Sequence, residues 1–483
     1  MDNMTMKQPD IIVFMSDQHS HLFHRSFGGI VETPHFDALA QGGTIFNQAY
    51  TSCPLCVPAR MSLLSGRLPS DTGILTNSDT LPDTTPTFLH AMVKAGYETV
   101  LIGRMHFIGM DQRHGFTKRL FGDITPVTWN RPIDEMKKER GIFMFTFSEP
   151  NCTDVAGGGE SPVIHYDCAV VDAALEYLHK EHEKPQCIVV GTYGPHFPYV
   201  APVELYQKYR DMVKLPLFFE EVPSYFDEFM KKRQRHESKE KALQCLAAYC
   251  GMVEQTDHYI GILREAAGSF ERKRKNGLVF AYLSDHGDQA GERKYYGKQT
   301  FFEKSVKIPL VMEGCGIPAG LKIDTPVSIM DMGPTFCGFS SAVPPPRQAG
   351  IDLRSLFANP ASGSERAVLS ETLYENDGAY QLHRMVRLNN FKYISSGENS
   401  DMLFDLCNDP EEKTNVINDY PDAVKQCVQI LSGLKPKQEV ENGQIQRTQE
   451  VDLLRVWEQA AESVSNERWR GNPLSARDYP KIF

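Results

Sequence analysis

Apolar residues run unbroken from Ile11 to Met15 and stop at Ser16-Asp17-Gln18-His19. A short apolar run bounded by polar residues predicts a buried parallel strand, delivering those residues to the carboxyl edge where open α/β sheets bind ligands. The pattern returns at 99–103 before Arg104, at 187–192 before Tyr193-Gly194-Pro195-His196, and at 278–283 before Ser284-Asp285-His286-Gly287. Four such strands predict one sheet feeding one site. Helices are predicted over 34–41, 59–66 and 85–95, and a long amphipathic one over 242–267. The charged stretch 218–240 reads as an exposed excursion. From about residue 365 the pattern changes: 379–388 and 390–396 read as antiparallel strands, followed by an apolar run at 402–406 and a helix over 421–434. The polar tail, which contains Trp457, Trp469 and Arg470, predicts one helix around 450–461. The fold class expected is α/β, with a doubly wound, mostly parallel sheet flanked by helices and a smaller C-terminal α+β subdomain holding a short antiparallel sheet. Three units follow: 1–364, 365–435 and the tail 436–483, an oligomer arm or a cover over a neighbouring site.

The chain has 483 residues, which at about 150 residues per domain accommodates one large α/β unit with appendages. Hydrophobic residues at 41% and charged residues at 23% supply an ordinary globular core. Acidic residues outnumber basic ones, 62 to 51, for a net charge of −11. That balance argues against nucleic acid and anionic membranes as partners, so an anionic substrate must be held by a local cluster of cations or a metal. No apolar run approaches the roughly 18–20 residues that span a bilayer. The N-terminus, Met1-Asp2-Asn3-Met4-Thr5-Met6-Lys7, lacks the features of a secretory leader, and a cytoplasmic location is the expectation. Eleven cysteines, odd in number and thinly spread, disfavour a complete disulfide framework.

The densest segment is Cys53-Pro54-Leu55-Cys56-Val57-Pro58-Ala59-Arg60, continuing to Leu63-Leu64-Ser65-Gly66-Arg67. Read as Cys-x-x-Cys, Cys53 and Cys56 suggest a redox or zinc pair, but zinc needs two further ligands and no second pair occurs. Read as Cys-x-Pro-x-Arg from Cys56 with a helical extension, the segment resembles the signature of the formylglycine-dependent sulfatases of the alkaline phosphatase superfamily. Further stretches carry that resemblance in the same order: Pro9 to Gln18, an opening metal-binding strand; Thr33-Pro34-His35-Phe36-Asp37-Ala38-Leu39-Ala40; Gly103-Arg104-Met105-His106; Gly194-Pro195-His196; Ser284-Asp285-His286-Gly287-Asp288; Gly297-Lys298; and Leu403-Phe404-Asp405-Leu406 through Asn415. The details are closest to the choline sulfatase-like and phosphonate monoester hydrolase-like branches.

The resemblance implies that 1–364 is the catalytic domain and that the reaction is hydrolysis of a small sulfate monoester. It implies that Cys56 is oxidised by a formylglycine-generating enzyme to an aldehyde. The aldehyde hydrate attacks sulfur with one hydroxyl and expels sulfate with the other. Asp17, Gln18, Asp285, His286 and residue 56 are the implied ligands of one divalent cation. Gln18 and His286 stand where many relatives have Asp and Asn, which lowers the site's charge and softens it; Ca²⁺ is the first choice, with Mn²⁺ and Mg²⁺ open. Arg60 is implied to hold the hydrate, His106 to act as base during sulfate elimination, and His196 and Lys298 to contact sulfate and the leaving oxygen. Arg104 stands where Lys is usual and is read as an anion clamp, since it cannot donate a proton near pH 7. Asn77 is read either as a substrate-contacting residue or as an ordinary turn asparagine. The histidines His19, His21, His24, His165 and His258 read as surface or structural.

The substrate alcohol stays open between a choline-type cation, which needs an aromatic or acidic cage, and a sulfated sugar, which needs polar partners. Residues for both occur in 107–166 and 370–385. The alternative chemistry is a phosphonate monoester or phosphodiester hydrolase of the same superfamily, against which Arg104 and His106 weigh. A different class is a metal-binding scaffold whose Cys56 stays a thiol.

Overall fold

The computed structural model describes residues 8–125, 127, 129, 152–376, 378–397, 400–461 and 481–483. The apolar run becomes the strand Asp10–Ser16, with every residue buried. It pairs in parallel with Gln186–Gly191 on one side and with Leu278–Ser284 on the other. Successive side chains of a strand point to opposite faces. Ile11, Val13 and Met15 accordingly pack into one core with Val57, Met61 and Leu64 of the helix Cys56–Ser65. Ile12 and Phe14 pack into a second core with Tyr166 and Val170 of the helix Pro162–His179 and with Ile260 and Leu263 of the helix Lys239–Arg274. Burial on both faces explains why the run shows no alternation.

The main sheet has eight strands in the order Leu321–Ile323, Thr44–Phe46, Leu310–Gly314, Leu278–Ser284, Asp10–Ser16, Gln186–Gly191, Glu98–Gly103, Lys118–Phe121. Leu310–Gly314 runs against its neighbours and the other described strands run together. The four strands that end in Asp, His or Arg are adjacent, so their carboxyl ends form one edge. The fold class expected from the sequence is the one observed.

A second, antiparallel sheet takes its strands in chain order: Val368–Asn376, Ala379–Leu388, Phe391–Ser395 and Met402–Asp405. The first of these is absent from the sequence expectation. The helix Pro421–Ser432 sets Cys427, Val424 and Leu431 against Val386, Tyr393 and Leu403 of this sheet.

Two expectations need correction. The stretch 218–240 is not simply exposed: Phe219 and Phe226 are buried, and Phe226 packs with Tyr295 and Phe302. Its charges mask aromatic anchors that lie between them. The tail helix is Lys437–Ala460, well ahead of the expected start, entered at Pro436 and lying on the strand Ala379–Leu388. Its buried positions include Gln444 and Glu458 beside Val440 and Val451, so apolar periodicity understates it. Trp469 and Arg470 lie outside the described residues.

Candidate active site

Cys56 is the first residue of a helix in which all ten residues are buried, and the polypeptide enters it extended at Leu55. The side chain of Asn77 accepts a hydrogen bond from the Val57 N–H at 3.0 Å, satisfying one of the free amides of that first turn. Four residues later, on the same helical face, stands Arg60. Its guanidinium donates to Asp285 Oδ2 at 2.8 Å and Asp17 Oδ2 at 3.2 Å, joining the ends of two neighbouring strands. A third bond, at 3.2 Å, goes to the Arg104 carbonyl.

Donor atoms of Asp17, Cys56, Asp285 and His286 all lie within 4.8 Å of one another, and all four residues are buried. Cys53 is not in this group and pairs with no other thiol. His286 Nδ1 lies 3.0 Å from the Gly287 carbonyl, an acceptor only, so this nitrogen carries the proton. The lone pair of Nε2 therefore faces the cluster, 3.3 Å from Cys56 Sγ. Two carboxylates, one oriented imidazole and one sulfur or oxygen position make a donor set that fits a divalent cation. Next to Asp17, Gln18 sits at φ +65°, where its amide oxygen accepts from Lys298 Nζ at 2.8 Å and its amide nitrogen donates to Asp288.

The remaining predicted residues surround this cluster. Lys298 Nζ is 3.1 Å from Cys56 Sγ and donates to His196 Nε2 at 2.6 Å, while His196 Nδ1–H bonds the Phe197 carbonyl. Arg104 donates to Asp17 Oδ2 (2.6 Å), Asp123 Oδ1 (2.8 Å), Thr125 (2.7 Å) and His106 Nδ1 (2.7 Å). Its fork thus grips Asp17 and His106 directly, a holding function that the clamp expectation did not contain. His106 itself sits at φ +58°, in a region costly for a side-chain-bearing residue, and the Asp123 carboxylate holds its backbone N–H.

Electrostatics follow from burial and neighbours. Burial raises the Asp17 carboxyl, but Arg104 and Arg60 overturn this and hold it well below the usual carboxylate range. Burial and then Asp17 push the Cys56 thiol up to about 11 against the pull of Lys298, so the unmodified side chain is a thiol and a poor nucleophile at neutral pH. Burial, then Lys298, drives the His196 imidazole well below its ordinary value.

Sequence reading missed three buried carboxylates that hold the site: Asp123, Asp288 and Asp167. Asp288 ties Gln18, Tyr199 and the Gly297 N–H together; Asp167 accepts the backbone N–H groups of Tyr193 and Gly194, just ahead of His196. Asp288 lies inside a quoted motif, whereas nothing in the local sequence around Asp123 or Asp167 marks either. The histidines near the opening strand are interior: His19, His21 and His24 are buried, with His24 Nε2 on His19 Nε2 at 2.7 Å and His19 on Tyr282. His165 is exposed and His258 half-buried.

A buried, cation-rimmed cluster at the carboxyl edge of an α/β sheet defines a hydrolase of anionic esters. Comparison with known proteins specifies it. A family model described as Sulfatase matches residues 9–340, and one described as N-sulphoglucosamine sulphohydrolase, C-terminal, matches 291–439. The choline-sulfatase of Rhizobium meliloti (strain 1021) is 32% identical over 440 residues, covering 86% of this chain and 83% of that protein. Among solved structures, the phosphonate monoester hydrolase of Silicibacter pomeroyi superposes with a TM-score of 0.70 at 20% identity, covering 88% of this chain and 95% of its own. A structure in complex with its substrate D-glucosamine-2-N,6-O-disulfate does so with a TM-score of 0.64 at 20% identity, covering 88% and 97%. The chain belongs to the sulfatase family, within the alkaline phosphatase superfamily, and is a sulfuric ester hydrolase.

Proposed function

We propose that this enzyme hydrolyses a small sulfate monoester through a formylglycine made from Cys56, with one divalent cation held by Asp17, Asp285, His286 and the residue-56 side chain. The observation that carries the reading is the convergence of those four donors within 4.8 Å, with Lys298 3.1 Å from Cys56 Sγ. The cation, when bound, lowers the pKa of a hydroxyl on residue 56 and offsets sulfate charge. Ca²⁺ suits the carboxylates best, and His286 leaves Mn²⁺ and Mg²⁺ as competitors. Gln18 contributes through Lys298, whose ammonium its amide oxygen holds.

The other roles follow from position. Arg60 bridges Asp17 and Asp285 and helps to keep Asp17 ionised. Lys298 meets the sulfate oxygens, and the Lys298–His196 pair gives a proton to the departing alkoxide. Arg104 orients Asp17 and His106, and His106 serves the second hydroxyl of the hydrate as base when substrate draws the Arg104 fork away from Nδ1. Cys56 is only 1% exposed, so a formylglycine-generating partner has to meet this segment before the chain closes over it. The outward stripe Leu453, Val456 and Trp457 supports the tail as an oligomer arm. Eleven free thiols, eight of them buried, suit a reducing, cytoplasmic setting.

The test is sulfate release from sulfated sugars, choline sulfate and an aryl sulfate, with an aryl phosphonate ester as counter-substrate. The protein is co-produced with a formylglycine-generating enzyme, and conversion of the Cys56 peptide is read by mass. Sulfate release that disappears in Cys56→Ala is the expected outcome. Faster phosphonate cleavage would move the enzyme to the rival chemistry, and full conversion without turnover of any ester would favour the scaffold reading.

A further inference from the structure

A cavity of about 580 Å³ is lined by residues next in sequence to those of the candidate site. Its wall includes Thr76 and Ser78, which flank the Asn77 that caps the Cys56 helix, and Gln299, which follows Lys298. The far wall comes from the 229–233 segment, the hairpin around Tyr374 and Tyr380, and the tail helix Lys437–Ala460. The alcohol portion of a sulfate ester anchored near Cys56 is the group this cavity is placed to receive.

The chemistry of the wall selects among alcohols. Phe229 and Tyr374 of the wall, with Tyr295 behind it, form an aromatic box of the kind that binds a quaternary ammonium. The protein fills that box with its own cation: the Arg233 guanidinium carbon lies 4.4 Å from the Tyr374 ring centre, 5.7 Å from Phe229 and 5.9 Å from Tyr295. Arg233 is anchored to the site as well, donating to the Gln299 carbonyl at 3.0 Å, an oxygen that also accepts from the Tyr374 hydroxyl at 2.5 Å. Lys232 and Arg455 add two further cations to the same wall. On a chain of net charge −11, three cations gathered around one cavity are a local reversal of sign. Of the two acids on the wall, Asp79 spends its carboxylate on the Leu75 and Thr76 N–H groups and on Gln444, so the opposing charges are exposed Glu375 and, behind the wall, Asp452, which pairs with Arg455 at 2.8 Å.

We infer that the cavity recognises a second oxyanion on the substrate, a carboxylate or second sulfate of a sulfated sugar, through Arg233 with Lys232 and Arg455, and that it excludes a choline-type head group from the box. The inference rests on the sulfate ester hydrolase reading and names its substrate class. A guanidinium stacked on aromatic rings presents a planar fork to either oxyanion, and a lysine in its place keeps the charge but loses the fork.

The experiment uses substrates matched except for the second group: a glucose monosulfate, the corresponding glucuronate monosulfate, a glucose disulfate and choline sulfate. Hydrolysis by converted enzyme gives the ratio of kcat/KM values, and calorimetric binding to Cys56→Ala gives affinity without turnover. The expected result is a preference of roughly ten- to a hundredfold for a dianionic substrate, set by a charge-assisted contact. That ratio collapses towards one in Arg233→Ala and falls only partly in Arg233→Lys, Lys232→Ala and Arg455→Ala. Comparison of the carboxylate and disulfate arms identifies which oxyanion is preferred. Equal handling of the mono- and dianionic sugars, a ratio untouched by all four variants, or preference for choline sulfate would overturn the inference while leaving the sulfatase reading standing. Failure of every sulfate ester to be hydrolysed and to bind Cys56→Ala would remove both.

Discussion

Asp167 illustrates how a single buried residue sets a loop, the one that leads into His196. Burial raises its carboxyl to about 7, against the Tyr193 and Gly194 N–H groups that it accepts and that favour the charged form. A folded-state pKa above the unfolded one means that protonation favours folding. This contribution is full below the ordinary Asp range and is lost as pH rises through about 7. Asp167→Asn keeps an acceptor and removes the titration. Its stability is expected to lack the decline expected of the native protein as pH rises from about 4 to 7, a difference on the order of a few kcal/mol at most. Thermal melts across that range check this, and parallel native and variant profiles would refute it. Asp17 has the opposite sign: its depressed pKa gives stability at neutral pH that is lost as pH falls below the usual carboxylate range. The motif residues Asp17, Cys56, Arg60, Asp285 and His286 were legible because each sits within a local pattern. Asp123 and Asp167 were not, since what they do depends on partners far away in the chain.

At the scale of the element, the helix Cys56–Ser65 matters most because its first turn aims residue 56 into the cluster. Asn77, open in the sequence between a substrate contact and a turn residue, accepts from the Val57 N–H of that turn. Asn77→Ala is expected to cost about 1 kcal/mol, as loss of a helix N-terminal acceptor does, and to lower kcat more than it raises KM. Thermal unfolding with steady-state kinetics on one sulfate ester checks it. A large rise in KM with unchanged stability would return Asn77 to the substrate-contact reading. The apolar strands were readable because burial on both faces leaves an unbroken run, whereas Val368–Asn376 and the early part of Lys437–Ala460 escaped because polar residues interrupt their periodicity.

Across the whole molecule, buried charges fasten the antiparallel sheet to the helix Glu303–Val306 and to the segment just after the helix Cys56–Ser65. Lys392, fully buried in the strand Phe391–Ser395, pairs with Glu303 at 3.0 Å and with Glu412. Arg384 binds Glu371, which in turn accepts the Ser70 N–H just beyond the catalytic helix. Lys392→Met strands two buried carboxylates and is expected to destabilise the protein by about 3–5 kcal/mol. Because the Glu303 contact joins 365–435 to the helix Glu303–Val306 of the preceding segment, the loss is expected to lower a single unfolding transition. Calorimetry showing two separate transitions in the native protein would instead make 365–435 an independent unit.

The sequence by itself determined the four central strands of the main sheet, the class of fold and the identities of the residues at that sheet's carboxyl edge. Those features follow from local hydrophobic pattern and from short motifs, which are complete within a few residues of chain. Only the tertiary structure decided that Arg104 spends its fork on Asp17, Asp123, Thr125 and His106, that Gln18 holds Lys298, and that Arg233 occupies an aromatic box beside the site. Apart from Arg104 with His106, each of these contacts includes segments tens to hundreds of residues apart. Its energy depends on distance and burial in three dimensions, which no local pattern encodes.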